Sequence, residues 1–140
     1  MARLEIILRS VVVIALIVDA VVHFRLAENM QLAAPDGIGG GTLFRAQAIA
    51  AVLAAVLLGI TGVRVAYLLA AAAALSAFVP VMLYSFIEVP AIGPIPSMYD
   101  PSWYPLKTLS AVAEGLGVAL AVLGATLTPR RLRKRPAPGQ

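Results

Sequence analysis

Asp19 and His23 stand four residues apart inside an otherwise apolar run from Ile6 to about Ala27. On a helix that spacing puts both on one face. Lys107 and Glu114, seven residues apart near the start of the apolar run Leu106 to Leu127, again share a face. Arg45 and Gln47 head another apolar stretch, and Tyr84 and Glu88 close a further one. An ionisable side chain inside a long apolar helix is costly to retain, so each marks a candidate site by default. Asp19 and Glu114 have the chemistry of proton-active carboxylates, and His23 that of a proton relay or a donor to a ligand headgroup. Arg45 and Lys107 suit an anionic or quinone-like group. The same residues also admit a purely structural account, in which Asp19 or Glu114 pairs with Arg25, Arg45 or Lys107 to fix helix register. A single histidine of this kind is more often a satisfied interfacial side chain than a metal ligand. No metal site is expected, and no catalytic triad or nucleotide motif is present.

The elements that must position these residues are set by composition. Of 140 residues, 61% are hydrophobic and 13% charged, with a mean hydropathy of +0.92. A soluble domain carries about 25% charged residues, so this is the composition of a membrane protein. Four apolar runs, 6–27, 43–60, 65–87 and 106–127, each have the length of a membrane span. They are too long for buried strands, and a helix satisfies its own backbone in lipid. Thr61-Gly62-Val63-Arg64 is so short that the middle two runs must form an antiparallel hairpin. The expected fold is all-α: an antiparallel four-helix transmembrane bundle over residues 1–129, followed by a basic tail, 130–140.

Positive charge orients the bundle. Arg3, Arg9, Arg64 and the cluster Arg130, Arg131, Arg133, Lys134 and Arg135 fall at one end, which the positive-inside rule makes cytoplasmic, together with both termini. Arg25, Arg45 and Lys107 fall at the other end with Glu28, Asp36, Glu88 and Asp100. The net charge of +4 therefore reflects a juxtamembrane cluster that touches anionic lipid headgroups, not a nucleic-acid surface. Arg3, Arg9 and Val18-Asp19-Ala20 also resemble a signal peptide, but an acidic residue at the cleavage site and the lack of a soluble domain behind it argue against one. The absence of cysteine excludes thiol chemistry, and one histidine excludes bis-histidine haem within a chain.

Small residues recur every four positions at Ala46, Ala50 and Ala54, at Ala66, Ala70 and Ala74, and at Gly117, Ala121 and Ala125, which predicts close helix packing. Pro80 is expected to kink the third helix. Asn29 to Thr42, with Pro35-Asp36-Gly37 and Gly39-Gly40-Gly41, reads as a flexible connector. Glu88 to Pro105, with five prolines and with Tyr99, Asp100, Trp103 and Tyr104, reads as a rigid, packed lid over the outer end. Antiparallel topology would bring Asp19, His23, Arg45, Gln47, Tyr84, Glu88, Lys107 and Glu114 to one level beneath that lid, as a polar pocket between the helices.

The length, the four-span layout and the polar outer ends resemble the DoxX-like group of small bacterial membrane proteins. Leu43 to Gly59, with Arg45 and Gln47 at its head, and Tyr99 through Lys107 are also similar to uncharacterised four-helix membrane proteins of high-GC actinobacteria. The resemblance implies a multi-pass protein of the bacterial cytoplasmic membrane, linked in some members to redox or quinone-associated complexes. It assigns no catalytic residue, and the first helix lacks that group's usual glycine pattern. The expected function is a non-catalytic accessory subunit of a larger membrane complex or homo-oligomer. The alternatives are a quinone- or lipid-binding protein and a proton-linked transporter.

Overall fold

A computed structural model describes residues 2–129. Four helices follow one another: α1 (Ala2–Ala33), α2 (Gly40–Thr61), α3 (Arg64–Phe86) and α4 (Pro105–Leu127). Each is long and apolar enough to cross a membrane, which makes the chain an all-α, multi-pass membrane protein by length and composition. The basic cluster Arg130, Arg131, Arg133, Lys134 and Arg135 lies outside the described residues.

Helix α1 runs well past its apolar stretch. Its 32 residues span about 48 Å at about 1.5 Å per residue, against about 30 Å of hydrocarbon. Hydropathy marks where lipid ends, not where the helix ends. Glu28, Met30, Gln31, Leu32 and Ala33 are all adequate helix formers, and the chain stops only ahead of Pro35.

The expected flexible connector is therefore short. Asn29–Ala33 belongs to α1 and Gly40–Thr42 to α2, and a turn closed by Gly40 N–H to the Ala34 carbonyl (2.7 Å) joins them. Gly40 and Gly41 are packing residues here. A Cβ on Gly40 would sit 2.8 Å from the Met30 carbonyl oxygen, and one on Gly41 would collide with the Ala27 carbonyl. The missing side chains let α1 and α2 meet backbone to backbone. At the other end of α2, Gly62 takes a left-handed φ of 58°, and its N–H caps the Leu58 carbonyl at 3.0 Å. The Arg9 guanidinium donates to the carbonyl of Gly59 one turn earlier.

Helix α1 packs on α2 and α4, and α3 packs on the same two, so α1 and α3 sit diagonally with little direct contact. The core they share is built of small residues: Val12, Leu16 and Ala20 of α1 meet Ala51, Ala55 and Leu58 of α2, Ala66, Ala70 and Ala74 of α3, and Ala121 and Ala125 of α4. The expected small-residue stripes hold on α3 and α4. On α2 the buried face runs through Ala48, Ala51, Ala54, Ala55 and Leu58, so of the expected stripe Ala54 is buried while Ala46 and Ala50 are exposed. In an alanine-rich helix several faces carry small residues, and the large side chains decide by seeking lipid: Ile49, Val52, Leu53, Val56 and Ile60 all point outward.

The segment between α3 and α4 is tied down mainly by hydrogen bonds, with its aromatics only partly packed. Asp100 N–H donates to the Tyr84 carbonyl (3.0 Å), and Ile38 N–H donates to the Pro94 carbonyl (2.9 Å), which links the two long connections. Tyr99 and Trp103 remain 45% and 44% exposed, so the expected aromatic packing of a lid is not what holds it. Trp103 lies against Phe86 with ring centroids 6.3 Å apart.

The close approach of α1 and α2 carries a direct test. Gly41→Val should lower the stability of the detergent-solubilised protein by about 1–3 kcal/mol through overpacking. Gly59→Ala, whose new methyl group would meet only Val13 at 3.9 Å, should be neutral or slightly stabilising. Thermal unfolding followed by circular dichroism compares the two; equal effects would mean that Gly41 is not a contact point.

Candidate functional site

At the end of the bundle bearing the two long connections, one polar network touches all four helices. Asp19 and His23 come from successive turns of α1, Gln47 from the second turn of α2, Ser76 from α3, and Ser110 and Glu114 from successive turns of α4. Asp19 and Glu114 are each 1% exposed, so both carboxyl groups are inside the protein and away from lipid.

Gln47 is the hub. Its amide nitrogen donates to Asp19 Oδ2 at 3.0 Å and to the Ala73 carbonyl at 2.8 Å, while its oxygen accepts from the Ser76 hydroxyl at 2.9 Å. That Ser76 lies one turn before Pro80, whose ring nitrogen cannot donate back along α3. On the far side, the Ser110 hydroxyl donates to Glu114 Oε1 at 2.5 Å. His23 stands between the carboxylates: Nδ1 is 2.6 Å from Asp19 Oδ1, 3.1 Å from the Asp19 carbonyl oxygen and 3.9 Å from Glu114 Oε1. Its ring leans on Phe44, with centroids 4.7 Å apart. One carboxylate oxygen, Glu114 Oε2, is buried without a hydrogen-bond partner among the described residues.

The cluster forms one wall of a cavity of about 480 Å³. His23, Gln47, Ser76, Ser110 and Glu114 give it a polar patch; Leu43, Phe44, Ala50, Ala77, Pro80 and Met98 make most of the rest apolar. Tyr84, Tyr104, Asp100 and Lys107 line it toward the connection between α3 and α4. Burial and the neighbouring Asp100 carboxylate raise the Tyr104 phenol above its ordinary value, which keeps it a neutral hydroxyl. Asp100 and Tyr104 also border a second hollow of about 510 Å³, together with Tyr99 and Met30.

The other expected site residues fall elsewhere. Arg45 and Glu88 are exposed and line neither hollow. Register explains Arg45: two residues before Gln47 on the same helix, it sits on another face. Neither carboxylate pairs with Arg25, Arg45 or Lys107, so the expected basic partners are replaced by His23. Lys107 is buried, but its ammonium is spent on the loop: it donates to the Asp100 and Ser102 carbonyls, lies 3.6 Å from Asp100 Oδ2 and sits 4.9 Å from the Trp103 ring centre. It anchors the α3–α4 connection more than it offers charge to a ligand. Sequence reasoning missed Ser76, Ser110 and Phe44 as site residues. Ser110 was legible, since it stands four residues before Glu114 on one helix; nothing in sequence pairs Ser76 with Gln47.

No protein family, curated protein or solved structure matches the chain.

If Gln47 holds the network together, replacing it with an apolar side chain of similar size strips Asp19 Oδ2 of its donor, while the Ser76 hydroxyl keeps the Ala73 carbonyl at 2.7 Å. Gln47→Leu should therefore cost about 1–3 kcal/mol of stability. Thermal unfolding in detergent reads this directly, and a neutral or stabilising result would mean that the network does not depend on Gln47.

Proposed function

We propose that this multi-pass protein binds one amphipathic small molecule, of the quinone or lipid class, between its helices. The observation that carries this reading is the cavity itself: about 480 Å³, largely apolar, with hydrogen-bonding groups gathered on one wall. That is the usual make-up of a small-molecule site, in which apolar surface gives affinity and a few polar groups fix orientation. The headgroup would lie against His23, Gln47 and Glu114, with the apolar portion along Ala50, Ala77 and Pro80. A carbonyl-bearing ring would find a hydrogen-bond donor in the Nε2 side of the His23 ring, since both amide hydrogens of Gln47 are committed to Asp19 and Ala73. The resemblance to DoxX-like proteins, with their redox- and quinone-associated members, points the same way.

The helices are read as antiparallel, with both termini in the cytoplasm of a bacterial cell and the cavity in the outer half of the membrane. The contacts of Arg9 with Gly59 and of Ala27 with Gly41 support that arrangement, and the distribution of Lys and Arg supports the orientation. An accessory role in a larger membrane complex is the second reading. The apolar faces exposed on all four helices favour it, since partner helices can cover them as well as lipid can.

Because the chain has no cysteine, single replacements report topology cleanly. Asp36→Cys should react with a membrane-impermeant maleimide on intact cells, and Thr61→Cys only after permeabilisation; the reverse pattern would invert the orientation. Native mass spectrometry from nanodiscs tests the cavity. The wild type should retain one small amphiphile per chain, and Ala77→Phe, which fills the cavity, should lose it. Leu69→Phe, on an exposed face, should retain it. Equal retention by both variants would place the molecule elsewhere.

A further inference from the structure

We propose that Asp19, His23 and Glu114 form a three-ligand site for a divalent first-row metal ion, of the zinc or manganese kind, with an open coordination position facing the cavity. One donor atom from each residue lies within 4.8 Å of the others. Bonds of about 2.1 Å arranged tetrahedrally place ligand atoms about 3.4 Å apart. The Nδ1–Oδ1 and Nδ1–Oε1 separations of 2.6 and 3.9 Å bracket that value, and a rotation that presents the unpartnered Glu114 Oε2 in place of Oε1 would complete the site.

Hydrogen bonding divides each carboxylate in two. Asp19 uses Oδ2 to accept from Gln47 and turns Oδ1 to His23 Nδ1 at 2.6 Å; Glu114 uses Oε1 to accept from Ser110 and leaves Oε2 buried without a hydrogen-bond partner. One oxygen held by an orienting donor and the other turned into the cluster is how a carboxylate ligand is prepared, and Gln47 and Ser110 occupy the outer-shell positions that tune such ligands. Buried polar atoms ordinarily find partners, so the orphaned Glu114 Oε2, on a residue 1% exposed, calls for an explanation.

Charge leads to the same place. Ionised Asp19 and Glu114 carry two negative charges, and no lysine or arginine among the described residues pairs with either. Lys107, the nearest buried cation on α4, is committed to the carbonyls of Asp100 and Ser102. A divalent ion would balance both carboxylates at once, where the single imidazole of His23 offsets at most one of two anions in an apolar interior. One imidazole and two carboxylates suit zinc, manganese or iron(II) better than soft copper(I) or octahedral magnesium. His23 and Glu114 line the cavity while Asp19 stands behind them, so the remaining coordination position opens toward it. Three protein ligands and one open position is the pattern of a reactive or substrate-binding metal, not of a closed structural one. The inference rests on ligand geometry and stands apart from the amphiphile reading, because it holds whether or not the cavity takes an organic molecule.

The test uses the full chain in detergent, stripped with a chelator, dialysed and titrated with Zn²⁺ or Mn²⁺ by calorimetry. The wild type should bind one ion per chain of at least one of the two. Asp19→Asn and Glu114→Gln should each weaken binding by about 10-fold or more, as losses around a metal commonly do. Glu88→Gln, exposed and outside the cluster, should leave it unchanged. Equal affinity across all four proteins, or no stoichiometric binding of either ion by the wild type, overturns the proposal in favour of a hydrogen-bonded carboxyl–imidazole cluster. Circular dichroism checks that the variants keep their helices. If one does not, cobalt decides on the wild type alone: ligand-field absorbance that appears with one equivalent of Co²⁺ and vanishes with EDTA supports the site, and its absence refutes it.

Discussion

The rest of the bundle is arranged around two carboxylates and an imidazole that must be kept out of lipid. A charged side chain facing hydrocarbon costs several kcal/mol, so Asp19, His23 and Glu114 can persist only where protein surrounds them on every side. That requirement explains why α1 and α4 turn these faces toward each other. It also explains why α2 contributes Gln47, whose amide donates to one carboxylate and to α3 at once. Were the three groups spread around different helix faces, at least one would meet lipid.

Close packing elsewhere is what leaves room for the cavity. Deep in the bundle, alanines bring the helix axes near one another, and Tyr67 is the largest fully buried side chain. Toward the long connections, Phe44, Pro80 and Tyr84 cannot interdigitate in that way, and the helices leave space between them. The connections then hold the open end. Lys107 grips the Asp100 and Ser102 carbonyls, and the Pro94 carbonyl receives the amide of Ile38. A basic residue that looks like a ligand-binding group in the sequence thus works as the fastening of a loop.

Much of this was legible in the residues alone. Four apolar runs gave four helices, because hydropathy over such lengths admits no other structure in lipid. The spacing of Asp19 and His23 put them on one face, and Glu114 was identified with them because it lies at a similar depth. Gln47 was singled out as well. What escaped is rotational: Arg45 and Gln47 are two residues apart, and only the packing of α2 decides which of them turns inward. In a helix where alanine occupies several faces, the sequence holds little information about that rotation, and Ala46 and Ala50 face outward, unlike Ala54, for the same reason. The connectors misled in the other direction. Glycines of a segment that reads as a flexible connector are contact points, since a Cβ on Gly41 would meet the Ala27 carbonyl, and composition alone cannot tell a mobile glycine from a crowded one.

The central claim is that the polar cluster is the wall of a ligand cavity and not merely a lock between helices. Photolabelling tests it most directly: the protein in nanodiscs is exposed to a quinone carrying a diazirine on its ring, and the modified residues are mapped by peptide mass spectrometry. The account predicts labels on Phe44, Ala50, Ala77 and Tyr84, and competition by the unlabelled quinone. Labels confined to lipid-facing residues such as Ile14, Leu69 and Val122, with no competition, would contradict it.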